Sequence, residues 1–508
     1  MTETNDYLPY WVYDARQVGE LDRRFIDTFE VDGFTLMQRA ARAAYLELAQ
    51  HWPMPGRLVV FCGPGNNGGD GALVARRAME AGWNVRLVAP IDLSKASGDA
   101  ARAFDAYREA DGRIEDFIDE PIVGDLVVDA LFGTGLNRDV DGPMAAAIDR
   151  INEASARGIG VLSIDIASGV DAGTGRVWGR AVTADTTITF IGLKMGLLTG
   201  DGAAHCGELA FDDLDAPDAL YEDQPYIARR ITHRDLRHVL PKRARSAHKG
   251  SNGHVLCLGG GRGMGGAIRM SAEAALRAGA GLVSVVCHSD HAGAMSQARP
   301  ELMCLGLGNE PLADDGGERL DALIEGASVI ALGPGLGQSA WGDALWQRAL
   351  AADKPVVVDA DALNRLARSD VERSNWVLTP HPGEAGRLLG WSTADVVADR
   401  VSAARALADR YQAVVALKGA GTLIATDKEL WLCTQGNPGM AVGGMGDLLT
   451  GVVAGLVAQG LSLAEAGVFG VYVHALAGDA AASADGERGL LPGDLFSGIR
   501  RQVNPNRP

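Results

Sequence analysis

Two stretches of the chain, "FCGPGNNGGDGALVARRAMEAG" from Phe61 and "CLGGGRGMGGAIRMSAEAALRAGAG" from Cys257, join an apolar run to a helical pattern through a glycine turn. Such a turn leaves backbone N–H groups free at a helix start, where an anion is favoured. In the first stretch Gly63, Gly65 and Gly68 satisfy G-x-G-x-x-G. The next strand, "VRLVAP", ends in Ala89 and Pro90, without the acid that accompanies a dinucleotide-binding turn. Asn66, Asn67 and Asp70 within the loop offer amides and a carboxylate to a polar ligand; the alternative is a plain turn. Two further strand ends, "DALFGTGLNRDVDGP" from Asp129 and "DIASGVDAGTG" from Asp165, fall on the same edge of a parallel sheet. There Asn67, Asp129 and Ser168 converge as oxygen donors with a single carboxylate. That set suits a hard monovalent cation better than a transition metal. Helix capping or loop tying by Asp129 and Asp165 is the other reading.

In the second half, Gly261, Gly263 and Gly266 repeat the pattern but lack the Lys-Ser/Thr ending of a P-loop. A more specific signal is "GNPGMAVGGMGDLLTGVVAGL" from Gly436. Gly443, Gly444 and Gly446 lead directly into Asp447 and a helix. The unpaired N–H groups of that helix start, with its dipole, make an anion hole. Asp447 then stands where a base takes the proton of a hydroxyl attacking phosphorus, or it is only an N-terminal helix carboxylate. "ALKGAGTLIA" places Lys418 to Thr422 on a strand–turn–strand suited to nucleotide phosphates or ribose. "LTPHPGEAGRLLG" places His381 and Glu384 at a strand end, as ligands or as structural groups.

The elements that must hold these loops are legible as an alternation. "RLVVFC", "NVRLVAP", "DLVVDAL", "GVLSIDIA" and "DTTITFI" predict strands separated by alanine-rich helical segments. The pattern restarts with "GHVLCLGG", "GLVSVVC", "SVIALGPG", "KPVVVDAD", "WVLTPHPGE", "AVVALKG" and "GTLIAT". Alternating strands and helices imply parallel sheets covered on both faces. Between the halves, from Asp212, a proline-rich and charged stretch has no sustained apolar run, which places the domains at 1–224 and 229–508. The segment from Gly451 predicts two core helices, since Gln459, Ser462, Glu465 and His474 interrupt it too often for a membrane span. A chain of 508 residues with 22% charged and 47% hydrophobic residues is ordinary for a soluble protein. Its net charge of -18 argues against general nucleic-acid binding. The six cysteines form no C-x-x-C pair, which suggests a reducing compartment and no zinc site. The N-terminus shows no basic segment followed by an apolar one, so no leader is predicted.

Taken in order, "GPGNNGGDG", "DALFGTGL" and "DIASGVDA", then "HKGSNGHVLCLGGGRGMGGA", "LGPGLG", "TPHPGE", "KGAGT" and "GNPGMAVGGMGD", resemble the loops of the bifunctional NAD(P)H-hydrate repair enzymes over nearly the whole chain. The resemblance implies an α/β protein of two three-layer α/β/α domains, Rossmann-like and then ribokinase-like. It implies an epimerase that interconverts R and S hydrates. It also implies a dehydratase that uses ADP to return the S hydrate to NAD(P)H, releasing AMP and phosphate. In the first domain it assigns hydrate contacts to Asn66, Asn67, Gly68, Gly69 and Asp70, to Gly133, Thr134, Gly135, Leu136, Asn137, Arg138 and Asp139, and to Asp165 as a catalytic group. It assigns potassium to Asn67, Asp129 and Ser168. In the second domain it assigns the hydrate to Ala267, Gly337, His381 and Asp447, and the adenine nucleotide, with magnesium, to Lys418, Gly419, Ala420, Gly421, Thr422 and Gly446. A cytoplasmic homo-oligomer without nucleic-acid or membrane partners completes the expectation. ADP against ATP, and NADH hydrate against NADPH hydrate, stay open. Ala167 replaces the usual proline of its loop and predicts a softer turn. Met445 replaces a small residue, often threonine, and predicts weaker phosphate contacts. A ribokinase-class small-molecule kinase with a non-catalytic nucleotide-binding first module is the alternative.

Overall fold

Residues of the strand Arg57–Cys62 alternate between two apolar cores: Leu58, Val60 and Cys62 enter one, Val59 and Phe61 the other. This period of two buries both faces, as a parallel sheet requires. The computed structural model describes residues 7–240, 242–369 and 371–505. The N-terminal stretch read for a leader begins in residues 1–6, outside the described residues. The chain divides into two compact units between Arg229 and Arg230.

The first unit carries a sheet of seven parallel strands. Their spatial order is Ile114–Asp116, Asn84–Ala89, Arg57–Cys62, Leu126–Ala130, Gly160–Ile164, Thr186–Phe190 and Glu208–Asp212. The helices Ala15–Phe29, Gly33–His51, Asn66–Glu80 and Gly98–Glu109 contribute to one core, and the helix Gly142–Ala156 covers the other face. The order turns around at Arg57–Cys62, so the loops leaving Cys62 and Ala130 part and open a crevice between them. A short strand, Ala228–Arg230, pairs antiparallel with Trp11–Tyr13 through Trp11 and Val12.

In the second unit, seven parallel strands are followed by the antiparallel Thr422–Ala425 and Leu430–Cys433. The strand His254–Leu258 lies between Leu282–His288 and Val329–Leu332, again a turning point of the order. Val255, Cys257, Val329 and Ala331 pack with the helices Gly265–Ala278, Met445–Ala458, Leu463–Asp485 and Leu495–Gln502. The two core helices expected in the segment from Gly451 are present, the first of them beginning earlier, at Met445. Among the described residues no helix is long and apolar enough to cross a membrane.

Candidate functional site

The first glycine turn exists because two backbones pass too closely for a side chain. A Cβ on Gly63 would lie 1.9 Å from the Leu131 carbonyl oxygen, and one on Gly68 would lie 1.8 Å from that of Gly63. The helix Asn66–Glu80 starts immediately beyond Gly65. Together with the loop after Ala130 and the strand end at Asp165, it walls a cavity of about 590 Å³. Asn66, Asn67, Asp70, Gly133, Thr134, Gly135, Leu136, Asn137, Arg138 and Asp165 line this cavity. Gly68, Gly69 and Asp139 are absent from its wall. Gly69 packs against Met37 and Ala100, and Asp139 lies beside Gly179.

Asn67, Asp129 and Ser168 do meet. Asp129 is fully buried; its Oδ2 accepts from Ser163 Oγ and from the Ser168 N–H, both at 2.8 Å. Ser168 Oγ accepts from the Phe132 N–H at 2.9 Å, and Asn67 Nδ2 donates to the Phe132 carbonyl at 2.8 Å. Asn67 Oδ1 is buried without a hydrogen-bond partner. A buried acceptor left unsatisfied is costly and calls for an unseen donor or ion. Burial raises the Asp129 carboxyl, while the donors from Ser168, Ser163 and Leu131 pull it back down. Ala167 has no exposed surface and its carbonyl accepts from the Val170 N–H at 3.1 Å.

Two charged groups on the cavity wall carry no motif that the sequence reading singled out. Lys194 is wholly buried and pairs with Asp165 Oδ1 at 2.6 Å. Asp165 holds a left-handed backbone, φ 68°. Asp22, from the helix Ala15–Phe29, also faces the cavity. Burial pushes its carboxyl up to about 6, against the pull of Lys194. Asp70 is raised well above the usual carboxylate range, first by burial and then by Asp165 and Asp22. The apolar run before "GLKMG" was the one available signal for Lys194, because a lysine ending a buried strand needs a partner.

In the second unit the loops also gather. Gly260 and Gly261 N–H groups donate to the Pro334 and Gly335 carbonyls at 3.0 and 2.7 Å, which sets Ala267 against the Gly335 turn. Gly337 takes φ 72°, and its N–H donates to Asp361 Oδ2 at 2.8 Å. Gly444 caps the helix Met445–Ala458 in the left-handed region, φ 99°. Asp447 lies in that first turn, facing the charges of Asp359, Lys418 and Asp361. Burial, then the Asp359 carboxylate, raises its carboxyl to about 7.

Lys418 Nζ pairs with Asp359 Oδ1 at 2.8 Å and lies 3.8 Å from Glu384 Oε2. Burial opposes its charge, but Asp359 and Glu384 outweigh it and hold the ammonium above its ordinary range. Thr450 Oγ1 donates to Asp359 Oδ2 at 2.9 Å. A Cβ on Gly446 would come within 3.2 Å of the Lys418 ammonium, so the glycine lets that charge reach the helix start. Gly419 takes φ 141° and the turn to Thr422 is braced from below by buried Arg400, which donates to the Lys418, Leu417 and Gly421 carbonyls. Thr422 Oγ1 donates to the Gly419 carbonyl at 3.0 Å, while Ala420 is exposed. His381 caps the helix Pro382–Leu389: its Nδ1 accepts from the Gly383 N–H, and its half-exposed ring lies 3.6 Å from Glu384. Burial and then Lys418 lower the imidazole's proton affinity. Met445 is buried in the core of the second unit. Asp359 and Arg400 were not anticipated as site residues.

Comparison with known proteins accords with this geometry. The family model for NAD(P)H-hydrate dehydratase matches residues 255–501, and that for the YjeF-related protein N-terminus matches residues 33–196. The bifunctional NAD(P)H-hydrate repair enzyme of Coxiella burnetii is 46% identical, over 97% of this chain and 99% of that protein. That of Escherichia coli is 41% identical, over 98% and 95%. A ribokinase-like superfamily protein from Enterococcus faecalis superposes with a TM-score of 0.50 at 29% identity, covering 54% of this chain and 95% of its own. Both halves thus carry their loops in the order and on the sheets that two linked activities demand, and the chain belongs to the bifunctional NAD(P)H-hydrate repair enzymes.

Proposed function

We propose that the unit ending at Arg229 interconverts the epimers of hydrated NADH and NADPH, and that the unit beginning at Arg230 dehydrates the S epimer at the expense of ADP. The observation that carries this reading is Asp447: a carboxyl raised to about 7, in the first turn of a glycine-led helix, beside the Lys418–Asp359 pair. In this reading Asp447 removes the proton of the hydrate hydroxyl as its oxygen bonds to phosphorus, and AMP leaves. The helix start and Lys418 meet the charge on the phosphoryl group. Phosphate then departs from the ring carbon, the neighbouring carbon gives up a proton to solvent, and the double bond returns. Gly419 to Thr422, shaped by Arg400, hold the nucleotide, and Ala267, Gly337 and His381 border the hydrate. Among the described residues no group of three or more His, Cys, Asp or Glu is placed to hold a metal. Magnesium would therefore ride on the nucleotide phosphates.

In the first unit the orphaned Asn67 Oδ1, the Asp129 carboxylate and Ser168 Oγ fit potassium, which would supply a fixed positive charge behind the glycine loop. The six free cysteines support a cytoplasmic location. The test is to incubate chemically hydrated NADH with the enzyme and ADP or ATP. Release of free phosphate with recovery of NADH is expected. A stable phosphate ester would instead make the second unit a small-molecule kinase.

A further inference from the structure

Two cations line the cavity of the first unit: Arg138, exposed at its rim, and Lys194, with no exposed surface. Lys194 Nζ donates to Asp165 Oδ1 at 2.6 Å and Thr189 Oγ1 at 2.8 Å, with the Phe190 and Gly192 carbonyls both at 3.3 Å. An ammonium has three protons. All are engaged by protein, so this lysine has none left for a ligand. Thr189 Oγ1 also reaches Asp165 Oδ1, at 3.4 Å. Both bonds fall on one oxygen of Asp165, which leaves Oδ2 for whatever occupies the cavity.

Epimer exchange, on which this inference rests, inverts a carbon that carries a hydroxyl beside the ring nitrogen. The C–O bond breaks and its electron pair leaves with oxygen, which takes a proton from a carboxylic acid and departs as water. The nitrogen lone pair closes a C=N⁺ bond. Water adds to the other face and gives a proton to a carboxylate, while the C=N pair returns to nitrogen. Nothing is oxidised or reduced, but one protonated and one ionised carboxyl are required together. We propose that Lys194 is a positioning residue that separates these roles, by pairing with Asp165 Oδ1 and orienting that side chain in the cavity that Asp22 and Asp70 also line. Burial favours the protonated form of the latter two, which suits them to the part of the acid beside a carboxyl group that a lysine holds in place.

The test is Lys194→Met in the full chain, with exchange followed by NMR across pH and dehydration of the S epimer as a control for folding. The groups facing the cavity are Asp22, Asp70, Asp99, Asp165 and Arg138, so the cation's removal leaves carboxyls in excess. We expect kcat for exchange to fall about 10²-fold, the scale of a misplaced reacting group, with KM little changed. The acid limb of the profile should move to higher pH, because losing the cation makes these carboxyls harder to ionise. Lys194→Arg should recover part of the rate. A Lys194→Met enzyme with the parent's kcat per folded molecule and the parent's acid limb would overturn the proposal. Should that variant not fold, Thr189→Val is read in the same way: a smaller loss with a limb shift supports the role, and an unchanged profile refutes it. Absence of exchange in the unsubstituted chain would instead sink the functional reading of this unit.

Discussion

In the proposed dehydration, Asp447 is the deciding group at the scale of one residue. Its carboxyl is raised to about 7 by burial and by Asp359. The ionised base is therefore scarce at pH 5 and abundant at pH 8, and single-turnover dehydration should rise with pH through about 7. The same shift means that the neutral form stabilises the fold. That stabilisation is complete below the ordinary carboxylate value near 4 and disappears as pH rises through about 7. Asp447→Asn should thus melt no lower than the parent at pH 8, yet dehydrate roughly 10²–10⁴-fold more slowly. A variant that melts early and dehydrates normally per folded molecule would make Asp447 a structural residue. In the first unit, Asp129→Ala should remove the cation site. A thallium-soaked crystal of the parent should show an anomalous peak between Asn67, Asp129 and Ser168, the variant none; a parent map without that peak excludes the site.

The element that matters most is the helix Met445–Ala458, since its start is the proposed anion hole and its length packs on the helix Gly265–Ala278. A Cβ on Gly451 would lie 1.9 Å from the Ser271 carbonyl oxygen, so the two helices are in backbone contact. Gly451→Ala must push them apart. Overpacking of this kind costs about 1–3 kcal/mol, or about 2–4 °C of Tm per kcal/mol in a domain this large. The second unit should melt earlier and dehydrate more slowly, with epimer exchange unchanged; an unaltered melt would show that the helices yield freely. The four-residue strand Leu430–Cys433 was too short to be read, whereas the strands read from sequence were legible because both their faces are buried and their apolar runs continuous. Ile114–Asp116, Glu208–Asp212 and Met303–Leu307 were not, because they lie at sheet edges, where half-exposed residues break the run.

For the whole molecule, the division between Arg229 and Arg230 yields a prediction about separability. A fragment ending at 224 discards the strand Ala228–Arg230 that pairs with Trp11–Tyr13, whereas one ending at 229 keeps Ala228 and Arg229 opposite Val12 and Trp11. Fragments 1–229 and 230–508 should each fold and retain one activity, with the shorter cut at 224 melting lower. Loss of both activities on separation, with the full chain active, would show that the units fold only together. From sequence alone, the alternating strands, the glycine turns and the place of Asp447 were determined, because each is written in a contiguous run governed by local backbone chemistry. Sequence also brought Asn67, Asp129 and Ser168 to one edge, since parallel strands end together. Tertiary structure decided the rest. Lys194, Asp22, Asp359 and Arg400 come from separate elements without local patterns, and only the sheet register and the packing of helices over it bury their charges against the loops they serve.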